Sequence, residues 1–421
     1  MVNDVNFMLY TPLLPGAAAG TLEPRHVVVP LREQLRSTEL RLGTVVGADP
    51  ANRRLHVDGL DGARRQVGYD QLVVALGSVS RTLPIPGLAE HAIGFKTLSE
   101  AIALRNRVLW MLETAEAIDD SAARAPFLTF VFVGAGYAGL EGLAELQDFA
   151  VDVIERYPRC RLEGMRWILV EAKDRVMPEI PEPLADFAAA ELRGRGIEIR
   201  TGTTIEEVGE AHVRLSGDEL VATRTVAWTA GVAPHPAVAQ LGLPLTAGRR
   251  IAVDACMRVN GHPGVWAIGD AAAVPDPARK GEPCPPTAQH AIRQGRLVAR
   301  NVAAELGRGR VRPFRYKTKG VFVDMGRHQA VARTLFIRWR GFPAWFLART
   351  YHLVLMPGIG RRLRLVTDWT VGLLFGRDMS ELGQIGHPPV LTSPSAGGEA
   401  DVKAAPGNGA AQPTGQGPIL E

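Results

Sequence analysis

Residues 127–141 read FLTFVFVGAGYAGLE. The apolar run ending at Val133 has the composition of a strand buried on both faces, and Leu140–Glu155 beyond it carries a helical pattern. Between them lies Gly134-Ala135-Gly136-Tyr137-Ala138-Gly139, a G-x-G-x-x-G loop in the strand-to-helix setting that gives this pattern meaning. Gly134 permits the tight turn, Gly136 lets backbone N–H groups approach a pyrophosphate, and Gly139 allows close helix–strand packing; the helix N-terminus favours the anion. A lone glycine pattern is often only a flexible turn, so the next strand matters. That strand, RWILVEA (Arg166–Ala172), ends at Glu171, placed to accept hydrogen bonds from a ribose diol. An acid there repels a 2′-phosphate and favours NADH over NADPH, while Lys173 and Arg175 soften the preference. The 32 residues from Gly139 to Glu171 exceed the usual spacing of ~20 and point to a long helix plus a loop at Arg156–Gly164. Glu141 also has a plain structural reading, a carboxylate near a helix N-terminus.

Outward from this loop, LVVALG (Leu72–Gly77) and VWAIGD (Val265–Asp270) are further buried strands closed by small or acidic residues. Small residues such as Ala75, Gly77 and Gly269 let a flat ligand lie against backbone, and Asp270 can bond a ribityl or ribose hydroxyl. Strands alternating with helices argue for parallel α/β units. The 421 residues suit two to three domains and a large core, and 46% hydrophobic and 22% charged residues exclude global disorder. A net charge of +4 gives no argument for nucleic acid. Cys160, Cys256 and Cys284 form no C-x-x-C pair and no metal-spaced cluster, which speaks against a disulphide scaffold, a zinc site and a redox cysteine couple. No stretch reaches the ~18 apolar residues of a membrane span, and the first ten residues lack signal-peptide features. Residues 336–376 differ in texture, with three of the seven tryptophans and six arginines against one aspartate. That composition suits helices lying in a headgroup plane beside anionic lipid, with Pro343, Pro357 and Gly360 dividing the segment into at least two short pieces; a covering hairpin or dimer interface is the plainer alternative. Residues 391–421, rich in Pro, Gly, Ala and Ser, are expected to be disordered.

The order Ala75-Leu76-Gly77-Ser78, the glycine loop with Glu171, Thr229-Ala230-Gly231-Val232, then Ala267-Ile268-Gly269-Asp270, resembles the flavoproteins with two dinucleotide-binding domains. Tyr10-Thr11-Pro12-Leu13-Leu14-Pro15 with Gly20, Pro286–Gly295, and Lys319-Gly320 ahead of Ala330-Val331-Ala332 narrow the resemblance to the type II NADH:quinone oxidoreductases, over about residues 9–383. The resemblance implies an α/β fold of two Rossmann-like domains with a C-terminal amphipathic helical membrane-association region. It implies electron transfer from NADH through FAD to a membrane quinone, without proton pumping, at the cytoplasmic face of the cell membrane; a homodimer is a further expectation. Glu141 matches a carboxylate beside the nicotinamide and flavin, Lys319 a lysine near the flavin, and Ala288 and Gln289 contacts to the flavin ring and quinone head. Pro12 and Gly231 join the expected cofactor contacts. Two departures stand out. The resemblance calls for a first glycine loop under the FAD pyrophosphate, a βαβ unit of roughly 30 residues, and this sequence starts after it, so the first domain is expected to be incomplete at its N-terminus. Arg293 stands where a glutamine is usual, leaving Gln289 and Gln294. The implied organisation is residues 1–105 and 256–335 for FAD, 106–255 for NADH, 336–390 for the membrane and 391–421 as tail. The alternative readings are a soluble NADH-dependent flavoprotein reductase with another acceptor, and a non-catalytic NAD-binding relic lacking FAD.

Overall fold

The computed structural model describes residues 1–279, 281–317, 320–335 and 337–381. Lys319 and the expected tail at 391–421 lie outside them. Ahead of the glycine loop come helix α1 (Leu14–Ala18), three antiparallel strands between residues 41 and 68, and strand β1 (Leu72–Val74). Then follow β2 (Ala92–Gly94), α2 (Leu98–Ala117), β3 (Thr129–Val133), α3 (Tyr137–Val153), β4 (Arg166–Glu171), α4 (Glu182–Gly194), β5 (Ile197–Thr201) and β6 (Thr225–Trp228). The strands form one parallel sheet in the order β5-β4-β3-β6-β2.

A parallel sheet is covered on both faces, and all five residues of β3 are buried accordingly. Phe130 and Phe132 point into a core built from Leu104 and Leu112 of α2, Leu143 of α3 and Leu192 of α4. Val131 and Val133 point the other way, onto Ile205, Val213 and Leu215 of a small antiparallel sheet. Helix α3 begins at Tyr137, earlier than the expected Leu140, because Gly136 serves as its N-cap. The expected loop at Arg156–Gly164 instead contains a short helix, Pro158–Glu163, opened by a proline at its first position and closed at Gly164, whose φ is +77°.

After this sheet the chain adds β7 (Val265–Ala267), which pairs in parallel with β1, and helix α5 (Ala288–Glu305). Next come the antiparallel β8 (Gly320–Asp324), β9 (Ala330–Thr334) and β10 (Ile337–Arg340), then α6 (Gly341–Leu355) and α7 (Ile359–Leu374). The expected division at 105/106 falls inside α2, whose preceding strand β2 belongs to the same five-stranded sheet as β3, and the one at 335/336 falls within a three-stranded sheet. Residues 251–252 pair with 272–273, so the 255/256 division also crosses a sheet.

The C-terminal segment forms two helices, in line with the expected division into at least two short pieces. Pro357 falls between α6 and α7, whereas Pro343 and Gly360 sit in first turns, where a missing N–H or side chain costs little. The helix pair is bound to the N-terminal segment: Met356 and Leu365 are buried among Tyr10, Leu13, Val27 and Val29. Asp368 accepts from the Glu23 N–H at 3.1 Å and meets His26 Nδ1 at 2.7 Å. Among the described residues no helix is long and apolar enough to cross a membrane.

Candidate active site

The glycine loop has the geometry its sequence calls for. Gly134 has φ +102°, and a Cβ there would come within 2.9 Å of the Ala230 backbone. At Gly139 a Cβ would lie 1.8 Å from the Gly134 carbonyl oxygen. Gly136, by contrast, faces open space, and beside it Ala138 is exposed and Tyr137 half-buried, so the N-terminus of α3 is open to an anion. Glu171 ties this loop to β4: its Oε2 accepts from the Ala135 N–H at 2.7 Å and its Oε1 from the Lys173 N–H at 3.0 Å. Each oxygen keeps a lone pair for a ribose hydroxyl. The Arg175 guanidinium donates to the Pro178 and Ile180 carbonyls at 2.8 and 3.5 Å, within its own loop.

A second set of residues gathers where paired strands end, β1 beside β7 and Ser78–Ser80 beside Val232–Pro234. Gly77, Gly231 and Gly269 all have positive φ (+68°, +89° and +68°); nothing lies within 4 Å of a Cβ placed at the first two, and only Ala291 Cβ, at 3.6 Å, at the third. Ala75 is exposed at the end of β1. Asp270 stands at the rim, its Oδ2 accepting from the Ser78 hydroxyl at 2.7 Å, with Lys96 Nζ 3.9 Å away. Buried Gln294 accepts from the Gly269 N–H at 2.7 Å and so holds this turn. Ala288 and Gln289 open α5. Gln289 is already engaged at both ends of its amide, donating to the Gly320 carbonyl at 3.1 Å and accepting from the Tyr316 hydroxyl at 2.7 Å. Arg293 lies 4.1 Å over the Tyr316 ring and donates to the Gln289 carbonyl at 2.9 Å, so the departure at this position supports Gln289 through Tyr316. The side-chain-free faces and the Asp270 carboxylate fit the flat ring and ribityl end of FAD. Among the described residues the G-x-G-x-x-G pattern occurs once, on the NADH side.

The two surfaces are joined. Thr229, next to β6, donates to the Gly134 carbonyl at 2.9 Å, and three residues further on Val232–Pro234 pairs antiparallel with Ser78–Ser80. Thus a single segment bonds to the glycine loop and pairs with the strand that follows Gly77.

Glu141 extends from α3 to accept the Asp324 N–H of β8 at 2.9 Å. Both line a cavity of about 30 Å³ with Pro12, Glu145, Arg349 and His352. Burial pushes the Glu141 carboxyl up to about 8 and Glu145 up to about 7, and raises Asp324. At Glu141 burial is the largest influence, ahead of the Asp324 N–H that favours the carboxylate. His352 is pushed down to about 4 by burial, and its Nδ1 lies 3.2 Å from the Tyr10 hydroxyl. Glu145, Asp324, His352, Lys96 and Tyr316 escaped the sequence reading. One signal was available for Glu145: a second acid one helical turn past Glu141, between the apolar Leu140, Leu143 and Leu146 of the same helix. The cysteines are free, and burial pushes the Cys160 and Cys284 thiols up to about 12 and about 11, away from nucleophilic thiolates.

A dinucleotide-type glycine loop, side-chain-free turns joined to it and a buried carboxylate cluster beneath helix α3 fit a pyridine-nucleotide oxidoreductase. The pattern of the pyridine nucleotide-disulphide oxidoreductase family matches residues 1–295. The type II NADH:quinone oxidoreductase Ndh of Mycobacterium tuberculosis is 31% identical over 388 residues, covering 88% of this chain and 81% of that one. A probable NADH dehydrogenase of Dictyostelium discoideum is 29% identical, covering 90% and 85%. In fold the chain is similar to the NDH2 of Plasmodium falciparum in complex with NADH, with a TM-score of 0.84 at 18% identity over 90% of this chain and 94% of that one. The chain belongs to the type II NADH:quinone oxidoreductase family.

Proposed function

We propose that this protein oxidises NADH at the Gly134–Gly139 loop and passes the electrons through FAD to a membrane quinone, without pumping protons. The observation that carries this reading is the Thr229–Pro234 segment, which bonds to the glycine loop and pairs with Ser78–Ser80 beside Gly77, a connection that supports bringing the two rings together. Bound FAD supplies hydride acceptance and onward electron transfer. The chain's own residues do the rest. Gly134, Gly136 and Gly139 with Tyr137 and Ala138 seat the pyrophosphate, and Glu171 selects the ribose diol. Asp270, Ala75, Gly77, Gly231, Gly269, Ala288 and Pro12 line the flavin side. Glu141, protonated at neutral pH, orients the nicotinamide and holds a proton near the reacting rings. Gln289, braced by Tyr316, offers its remaining N–H to the quinone head.

The α6–α7 pair meets the bilayer. Ile359 is 83% exposed, Leu363 66% and Phe375 68%, while Arg361, Arg362 and Arg364 supply positive charge. That combination supports peripheral attachment to an anionic lipid surface on the cytoplasmic face. A homodimer through the same apolar surface is the competing use. Purified protein is expected to show flavin absorbance bands and to oxidise NADH with decylubiquinone as acceptor. Protein carrying flavin that oxidises NADH only with a soluble acceptor supports the soluble-reductase alternative, and protein with no flavin supports the relic.

A further inference from the structure

Glu145 sits in the wall between two cavities. The inner one, about 30 Å³, brings it together with Glu141, Asp324 and His352, with room for roughly one or two waters. The outer one, about 2110 Å³, lies between α2, α3 and the α6–α7 pair and brings it together with Asp148, Asp152 and Arg327. Glu145 is 2% exposed, and its Oε2 has no hydrogen-bond partner among the described residues. A buried oxygen left this way suits a carboxylic O–H or a bridging water.

The charges around it bear on both protonation states. Arg349 of α6, which lines both cavities, and Arg377 favour the carboxylate, whereas burial, Asp324 and Asp148 favour the acid. Arg195, beyond α4, also feels the Glu145 charge. Asp148 continues the same face of α3 toward solvent, but Arg327 at 2.9 Å and Arg377 hold it ionised, so a proton does not rest there. Asp152, with its side chain 54% exposed, marks the outer end of the face.

We propose that Glu145 is the proton-entry residue for quinone reduction, taking a proton from water in the outer cavity and passing it through water in the inner cavity to Glu141 and Asp324. The proposal rests on the quinone-reducing reading above. The stoichiometry requires a proton from outside: NADH, one proton and a quinone give NAD⁺ and a quinol, so each turnover draws one proton from solvent. The O–H bond of a hydronium in the outer cavity breaks as the Glu145 O–H forms. That bond breaks in turn as the proton moves inward, and it ends on a quinol oxygen. Glu145 touches neither ring; it acts through Glu141 and Asp324.

The test compares the flavin-loaded wild type with Glu145→Gln, Glu145→Asp and Asp324→Asn between pH 5.5 and 8.5. Acceptors are decylubiquinone, which needs protons, and ferricyanide, which does not. Glu145→Gln is expected to lower kcat with decylubiquinone at least tenfold more than kcat with ferricyanide, and to flatten the quinone pH profile near neutrality. Glu145→Asp is expected to restore much of the rate. The pH-dependent infrared carboxyl band of the resting protein is expected to weaken in Glu145→Gln. Equal losses with both acceptors, or a quinone pH profile of wild-type shape, overturn the proposal. Should Glu145→Gln fail to fold, the same comparison on Asp324→Asn decides. A wild type that reduces ferricyanide but no quinone overturns the functional reading itself.

Discussion

Replacing Glu141 by Gln should change how stability depends on pH. Burial lifts this carboxyl from 4.5 to about 8. Between those values the folded chain holds a proton that the unfolded chain has released. Its contribution is therefore fully present below about pH 4.5 and is lost as pH rises through about 8, at up to ~1.4 kcal/mol per pH unit. Taken alone, that window sets a ceiling of roughly 4–5 kcal/mol. Glu145 and Asp324 titrate in the same cavity, and sharing protons among three carboxylates leaves Glu141 owning less than this ceiling. Glutamine keeps an oxygen for the Asp324 N–H and cannot ionise. Calorimetric Tm values of the two proteins should therefore lie close together at pH 5, with the variant ahead by a few °C at pH 8. Parallel decline of both Tm values across this range would refute the buried, proton-holding Glu141.

Two further outcomes are expected. Gly139→Ala puts a methyl 1.8 Å from the Gly134 carbonyl and 2.4 Å from Thr229 Oγ1, forcing the loop to open at a cost of about 1–3 kcal/mol; KM for NADH should rise at least tenfold while flavin content stays at the wild-type level, and an unchanged KM rejects the loop as the NADH site. Ile359→Ser with Leu363→Ser should abolish co-sedimentation with anionic vesicles without uncovering Met356 or Leu365, which a deletion of the helix pair would expose; binding at wild-type strength rejects α7 as the lipid contact.

Much of this protein is written in local patterns. The apolar run through Phe130 and Val133, the three loop glycines and the acid at Glu171 are close in the chain, and their chemistry depends on neighbours within a few bonds or one strand pairing. A sheet covered on both faces needs just such an apolar strand, and a pyrophosphate needs just such a bare turn. The same holds for the small residues at Gly77 and Gly269, and for the lack of a cysteine pair. Helix starts were less legible, since Gly136 as N-cap and Pro158 as a helix opener depend on backbone geometry that composition does not carry.

The buried acid site belongs to the other category. Glu141 and Asp324 are 183 positions apart, and Arg349 and His352 come from α6 near the end of the described chain. Whether a carboxylate is a solvated surface charge or a proton reservoir depends on how much water its neighbours exclude, and those neighbours arrive from distant segments only when the helix pair closes over α3. Arg293 follows the same logic: in the chain it departs from the expected glutamine, and in space it stacks on Tyr316 and steadies Gln289. Desolvation and long-range charge are properties of packing, so no window of consecutive residues contains them.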